Sequence, residues 1–320
     1  MNKKILLITG GTGFLGKRLA LALKDEYRVI LTGRNNKQNH KAKAFTGCEI
    51  APMDVVSIES VRDAFREFKP NVVIHAAATK FVDLSEKYPM ECIDVNVIGS
   101  QNVARVALEC GVDVVVGVST DKASPPVRNT YGLSKAIMER IFCSMNEKSD
   151  TKFTCVRYGN VAWSTGSVLP IWKDMHAKTG KLGTTGPEMR RFFFTVDEAV
   201  KLVTTSIDEI EECQGKVLSR YMKAAQMDDI LRVWTENLGG TWEKIEGRPG
   251  ERLDEYLIGE LELEHTYEKV YGGVKHYVIS FNEKVDNPIE FCLTSGNTDR
   301  LTDEEILTII TNPPEEEIHG

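Results

Sequence analysis

Through the first 160 residues, short apolar or β-branched runs alternate with stretches whose apolar residues recur every three or four positions. The runs Lys4–Ile8, Arg28–Thr32, Glu49–Met53, Val72–His75, Val112–Val118 and Phe153–Arg157 predict buried strands, each short and bounded by turn residues or charge. The periodic stretches Phe14–Lys24, Ile58–Phe68, Cys92–Cys110 and Thr130–Met145 predict helices. Such alternation specifies an α/β fold, a Rossmann-type doubly wound parallel sheet. Beyond Gly159 the rhythm breaks into loops bearing Gly and Pro, a Phe192–Phe194 run and a helix near Val196–Ile207. The expected division is a dinucleotide-binding domain over 1–160, with 190–212 returning to it, and a smaller interleaved substrate lobe over 161–189 and 213–320. Asn312–Glu317 reads as a frayed end.

Composition narrows the classes. The 320 residues, 42% of them hydrophobic, suffice for a sizeable core, so a globular, soluble chain is expected. No apolar run approaches the roughly 18 residues that span a bilayer, and Met1–Ile5 leads into a strand instead of a signal-peptide core, which predicts the cytoplasm. The 7 cysteines lie singly, without a Cys-x-x-Cys pair, and read as reduced thiols; no metal site is expected. A net charge of −7 argues against nucleic acid, and an anionic substrate would need its own local arginines.

The candidate chemistry lies at strand ends. Thr9-Gly10-Gly11-Thr12-Gly13-Phe14-Leu15-Gly16 joins the first strand to the first helix, where absent side chains let a pyrophosphate approach the backbone and the helix N-terminus. After the second strand stands Thr32-Gly33-Arg34-Asn35, with no Asp or Glu for ribose hydroxyls. Arg34 suits a 2′-phosphate, favouring NADP over NAD; were it to stack on adenine instead, either cofactor would bind. Asp54 fits an adenine contact, and Ala76, Ala77 and Ala78 form a close backbone wall. Ser119 and Thr120 end the fifth strand, followed by Asp121 and Lys122. Tyr131 and Lys135, four apart, share a helix face, and the lysine is expected to lower the phenol from about 10 so that it takes a proton from a sugar hydroxyl.

These motifs resemble the extended short-chain dehydrogenase/reductases, and more narrowly the bacterial UDP-N-acetylglucosamine 4,6-dehydratases of surface-sugar pathways. The resemblance also runs through His75–Lys80, Pro89–Cys92 with Asn96, Ser119–Ala123, Arg157–Val161, Gly166–Pro170, Arg191-Phe192 and Arg248–Glu251. It implies NADP, UDP-N-acetylglucosamine as substrate, and a homo-oligomer built through helices flanking the sheet. By the resemblance Lys122 is the C5 base, Asp121 the acid toward the C6 hydroxyl, Tyr131 the base at O4, Lys135 its tuner and Thr120 a donor to O4. Val55, Lys80, Asn96, Ser119, Tyr158 and Asn160 are implied along the cofactor. Lys80, Asn160, Ser167, Val168, Arg191, Arg248 and Glu251 are implied around the UDP-sugar.

The chain departs from the family pattern at Trp163 and Thr165, where glycine and arginine are common, and at Phe81 and Asp83, where His and Pro are common. These positions are expected beside the sugar, leaving three products open: a 4-keto-6-deoxy sugar with C5 inverted, the same with C5 retained, or a 5,6-ene. Retention of Tyr131 tilts the expectation toward inversion. A 4-epimerase or 4-ketoreductase would need Tyr131 and Lys135 but has no use for Asp121-Lys122. A non-catalytic NADP-binding regulator would have no reason to keep the catalytic set.

Overall fold

The computed structural model describes residues 3–146, 149–247 and 250–315. In its first half, strands β1 (Ile5–Thr9), β2 (Arg28–Gly33), β3 (Glu49–Pro52), β4 (Val72–His75), β5 (Val114–Val118) and β6 (Lys152–Val156) alternate with helices. These helices are α1 (Phe14–Leu23), α2 (Asn36–Thr46), α3 (Ile58–Phe68), α4 (Val82–Lys87), α5 (Pro89–Ile93), α6 (Gly99–Cys110) and α7 (Thr130–Asn146). The second half holds β7 (Asn160–Val161), α8 (Val168–Thr179), β8 (Lys181–Thr184), β9 (Arg190–Phe194), α9 (Val196–Asp208), α10 (Ile210–Cys213), β10 (Val217–Arg220), β11 (Ala224–Gln226) and α11 (Met227–Leu238). β12 (Thr241–Lys244), β13 (Tyr256–Ile258), β14 (Thr266–Tyr271), β15 (Val274–Ile279), β16 (Leu293–Thr294) and α12 (Asp303–Thr311) complete it.

The main sheet has 9 strands in the order β14-β15-β10-β6-β5-β4-β1-β2-β3. It is parallel from β3 to β10 and closes with antiparallel β15 and β14. Its strands are apolar on both faces because helices cover both, as in Leu6, Leu7 and Ile8, each fully buried. In such a sheet the ligands gather where the carboxyl ends of the parallel strands meet the following loops. β10, β15 and β14 come from beyond residue 213, the stretch whose pattern reads as lobe. α9 packs back on α1, β5 and β6.

Two helical features were not legible from periodicity. α2 is polar, and caps define it: the Asn35 side chain accepts from the Gln38 N–H, and Gly47 ends it in the left-handed region. The single helix expected over Cys92–Cys110 contains a wide π-turn, Asp94–Ile98, between α5 and α6. That turn carries Asn96 into the interior.

A second apolar cluster buries Trp163, Leu169, Trp172, Leu231, Trp234, Ile306 and Ile310 together. Among the described residues no helix is long and apolar enough to cross a membrane. All seven cysteines are free thiols.

Candidate active site

The glycine-rich turn is shaped by close approach. Gly10 has φ +65°, and a Cβ there would lie 2.7 Å from the Ala77 backbone; a Cβ on Gly16 would lie 2.5 Å from Gly11. α1 starts at Phe14 behind Gly13 with neither a side-chain cap nor an acid in its first turn, so the Phe14, Leu15 and Gly16 end of the helix is open to an anion. Thr9 Oγ1 is 2.8 Å from His75 Nδ1 and accepts from the Ala77 N–H, fixing the β1 and β4 ends together. Thr12 and Asn39 crowd Gly33, and the buried Asn39 Oδ1 has no protein partner. Uncapped helix, close backbone and an orphaned buried acceptor at the end of β2 fit a dinucleotide. Arg34 is exposed at that end, its guanidinium 3.8 Å from Glu91. Asp54 caps its own turn, accepting from the Val56 N–H, while Val55 is buried and Ala76 to Ala78 line the floor between β1 and β4.

Three residues implied along the cofactor spend their side chains on structure. Asn96 is fully buried, bonding the Thr79 N–H and carbonyl and donating to Ser134 Oγ, so it ties the loop after β4 to α7. Ser119 donates to Glu139 Oε1, away from the strand ends. Tyr158 is buried, stacked on Phe194 at 5.7 Å, and its carbonyl accepts from the Asp121 N–H. Lys80 is exposed, its ammonium 5.8 Å from the Phe81 ring.

At the end of β5 the chain forms a 3-10 turn, Asp121–Ala123, capped by Thr120. Asp121 is 1% exposed; its Oδ1 accepts from Thr120 Oγ1 at 2.9 Å and from Lys122 Nζ at 3.1 Å, while its Oδ2 is buried without a partner. Burial raises the Asp121 carboxyl, the Glu255 charge adds to the rise and Lys122 opposes it. Lys122 Nζ also lies 3.4 Å from Asn160 Oδ1 and 3.5 Å from Glu255 Oε1. Burial lowers this amine, but the Asp121 and Glu255 charges outweigh it and leave it raised.

The expected influence of Lys135 on Tyr131 is corrected by the geometry. Lys135 Nζ donates to the Val118 carbonyl at 2.7 Å, and burial lowers the amine to about 8. Burial pushes Tyr131 up to about 12, with Lys122 and Thr120 pulling it back. Lys135 is not among the main influences on the phenol, its ammonium being held by the Val118 carbonyl.

The substrate side is mixed. Arg191 is buried with Nε 3.8 Å from Glu255 and Nη1 donating to the Arg190 and Leu253 carbonyls. Ser167 and Val168 open α8, which has no side-chain cap and no acid in its first turn, and the buried Ser167 Oγ has no partner. Glu251 accepts from Thr185 Oγ1; Arg248 lies outside the described residues. Trp163 is buried in the second apolar cluster, its indole donating to the Ile309 carbonyl of α12. Phe81 packs over Gly166, where a Cβ would meet its ring at 2.2 Å. Among the described residues no cluster of His, Cys, Asp or Glu could hold a metal.

Sequence reasoning missed Glu255, Arg252 and the buried network behind the site. Arg157, fully buried, is bidentate to Glu139 at 3.0 and 2.7 Å and bonds Glu262 at 2.9 Å through both terminal nitrogens. That network joins α7, β6 and the loop after β13. The only sequence signal for it was an arginine ending an apolar strand.

Residues 6–274 match the family model described as polysaccharide biosynthesis protein. A Campylobacter jejuni protein named UDP-N-acetylglucosamine 4,6-dehydratase (inverting) is 36% identical over 92% of this chain and 88% of its own. The Staphylococcus aureus capsular polysaccharide biosynthesis protein CapD is 33% identical over 94% of this chain, which spans 53% of that protein's length. The X-ray structure of Pen from Bacillus thuringiensis superposes with a TM-score of 0.89 at 26% identity, covering 98% of both chains. With its doubly wound sheet, glycine-rich turn and Tyr131–Lys135 helix, the chain belongs to the polysaccharide biosynthesis protein family of extended short-chain dehydrogenase/reductases.

Proposed function

We propose that the chain is an NADP-dependent dehydratase of UDP-N-acetylglucosamine, releasing a UDP-4-keto-6-deoxy-N-acetylhexosamine with C5 inverted. The observation that carries this reading is the buried Asp121–Lys122 pair, hydrogen-bonded at 3.1 Å at the end of the sheet's fifth strand. Oxidation at C4 acidifies the C5 proton, and water leaves C6 only if one group takes that proton while another protonates the departing oxygen. The raised Asp121 carboxyl suits the acid, and its unpartnered Oδ2 leaves an oxygen available to the C6 hydroxyl. Lys122, freed of a proton, serves as C5 base. Tyr131, as the phenolate, takes the O4 proton, and Thr120, beside Asp121, helps hold O4. When bound, the nicotinamide supplies the hydride acceptor at C4 and donor at C6; Arg34 favours the 2′-phosphate form. The open N-terminus of α8 with Ser167, and Arg191, are suited to the diphosphate. The name of the Campylobacter jejuni relative supports the same substrate and inversion.

We further place two copies side by side across α4 to α7. Exposed Met90 (79%), Leu133 and Ile137 on these helices, with Tyr88 between α4 and α5, support that pairing. The unpaired thiols fit a reducing compartment, the cytoplasm.

The test is incubation with UDP-N-acetylglucosamine in deuterated water, followed by NMR. A new C6 methyl with deuterium at C5 is expected, and Asp121→Asn is expected to stop water loss. A C4 epimer without a methyl, or an Asp121→Asn variant that still releases water at the wild-type rate, overturns the reading; a vinyl signal at C6 assigns the 5,6-ene instead.

A further inference from the structure

The amine of Lys122 stands between two carboxylates, and only one of them is its neighbour in sequence. Glu255 arrives from the segment before β13, and two hydrogen bonds fix its backbone: its N–H donates to Ser295 Oγ at 3.0 Å, and its carbonyl accepts from the Ser295 N–H at 2.9 Å. Its side chain is 6% exposed and faces three cations: Lys122 Nζ at 3.5 Å, Arg191 Nε at 3.8 Å and Arg252 Nε at 3.1 Å. A buried carboxylate is costly unless paired, so this one is committed to the cluster it faces.

The Asp121–Lys122 pair has two forms related by one proton. With the proton on Nζ the pair is a carboxylate and an ammonium, and the lysine can remove nothing from C5. Moving that proton from Nζ to Asp121 leaves a carboxylic acid and a neutral amine, the acid and base that the elimination requires, with charge and atoms conserved. A second carboxylate beside the amine favours the first form. The charged and titratable groups facing Lys122 are Asp121 on its own turn, Tyr131 from α7, Arg191 from β9, and Glu255 before β13, with Arg252 behind it.

We propose that Glu255 is a positioning residue for the dehydration: it anchors the Lys122 amine against Asp121 and, through its charge, sets the balance between the two forms of the pair. The catalytic part of this statement rests on the dehydratase reading above; the effect on Lys122 does not. Arg191 and Arg252 hold the Glu255 carboxylate in register and keep it ionised, as its lowered proton affinity indicates: burial opposes ionisation, and the three cations outweigh it.

The test uses the full chain labelled with 13Cε-lysine, the Lys122 signal being assigned by its loss in Lys122→Gln. In Glu255→Gln the Lys122 titration midpoint is expected to fall by about one pH unit or more, the size typical of losing a close opposite charge. The limb of the kcat/KM profile that reports Lys122 proton loss should move down with it, while KM changes less than about threefold. Glu255→Asp keeps the charge and shortens the reach, so its limb should stay in place while kcat drops roughly tenfold or more. An unmoved Lys122 midpoint in Glu255→Gln overturns the proposal. If that variant does not fold, Glu255→Asp decides: a shifted limb or an unchanged kcat overturns it. A wild type that forms no methyl product but whose Lys122 midpoint still moves in Glu255→Gln refutes the dehydratase reading and leaves the electrostatic assignment standing.

Discussion

Replacing Arg157 by methionine should be among the most damaging single changes outside the Asp121–Lys122 pair. The guanidinium is fully buried and gives its donors to Glu139, Glu262 and the Leu257 carbonyl. Methionine fills most of the volume but strands two buried carboxylates. Glu139 keeps only the Ser119 hydroxyl, and Glu262 keeps Ser124 Oγ and the Gly259 N–H. Breaking a buried pair from one side costs about 3–5 kcal/mol. Unfolding entropy near 2.1 cal/mol/K per residue gives roughly 0.7 kcal/mol/K for a chain of 320 residues, so Tm should fall by about 4–7 °C. Thermal melts followed by circular dichroism measure this. The sign with pH is fixed. An orphaned carboxylate binds a proton more readily in the folded variant than in the unfolded chain, so the deficit is full at pH 7–8 and shrinks as pH falls toward the unfolded carboxylate value of about 4.3. Adding Glu139→Leu and Glu262→Gln should recover most of the loss. A Tm drop below about 2 °C, a deficit that ignores pH, or no recovery in the triple variant refutes the argument.

Two further outcomes follow from contacts at the strand ends. Gly10→Ala puts a Cβ 2.7 Å from the Ala77 backbone at φ +65°, so a stability loss of about 2 kcal/mol or more and an at least tenfold weaker NADPH titration are expected; wild-type binding by this variant would refute the close-approach argument. Arg34→Ser removes the Arg34 guanidinium at the end of β2, and NADPH affinity should fall roughly tenfold or more while NADH affinity stays within about twofold. Equal losses for both cofactors, read by fluorescence titration, would mean that Arg34 stacks on adenine.

The parallel half of the sheet was legible because a strand buried on both faces must be apolar throughout, as Val114–Val118 is. The candidate catalytic loop was legible because Ser119 to Lys122 follow such a strand directly. α2 was hidden because caps at Asn35 and Gly47, and not an apolar stripe, mark its ends. Glu255 was hidden for a different reason. In sequence it is one acid among many, some 133 residues beyond Lys122 (255 − 122), and only tertiary folding brings the two within 3.5 Å. Glu139, Arg157 and Glu262 likewise carry no local signal, because long-range pairing between buried charges obeys no spacing rule.

The two site lysines show why position on a helix face does not settle a proton's whereabouts. Lys122 lies between Asp121 and Glu255 and keeps its proton; Lys135 meets a carbonyl and a thioether, and burial brings it down to about 8 against the opposing pull of Cys155, Glu139 and Cys92. Tyr131, at about 12, is almost wholly protonated at neutral pH, so a nearby positive charge matters to it. If Lys135 assists the phenol by turning its ammonium from Val118 toward it, that assistance exists only while Lys135 is charged. Because its folded value lies below that of free lysine, the charge is present below about pH 8 and is lost above it, and kcat/KM should decline there. Lys135→Arg cannot lose its charge in this range. Its rate will be lower overall, since a planar fork fits the narrow site beneath β5 poorly, but its alkaline limb should vanish or move up by more than one pH unit. An arginine variant whose profile keeps the wild-type limb would show that the limb belongs to another group and that Lys135 acts by holding the loop after β5, not by its charge.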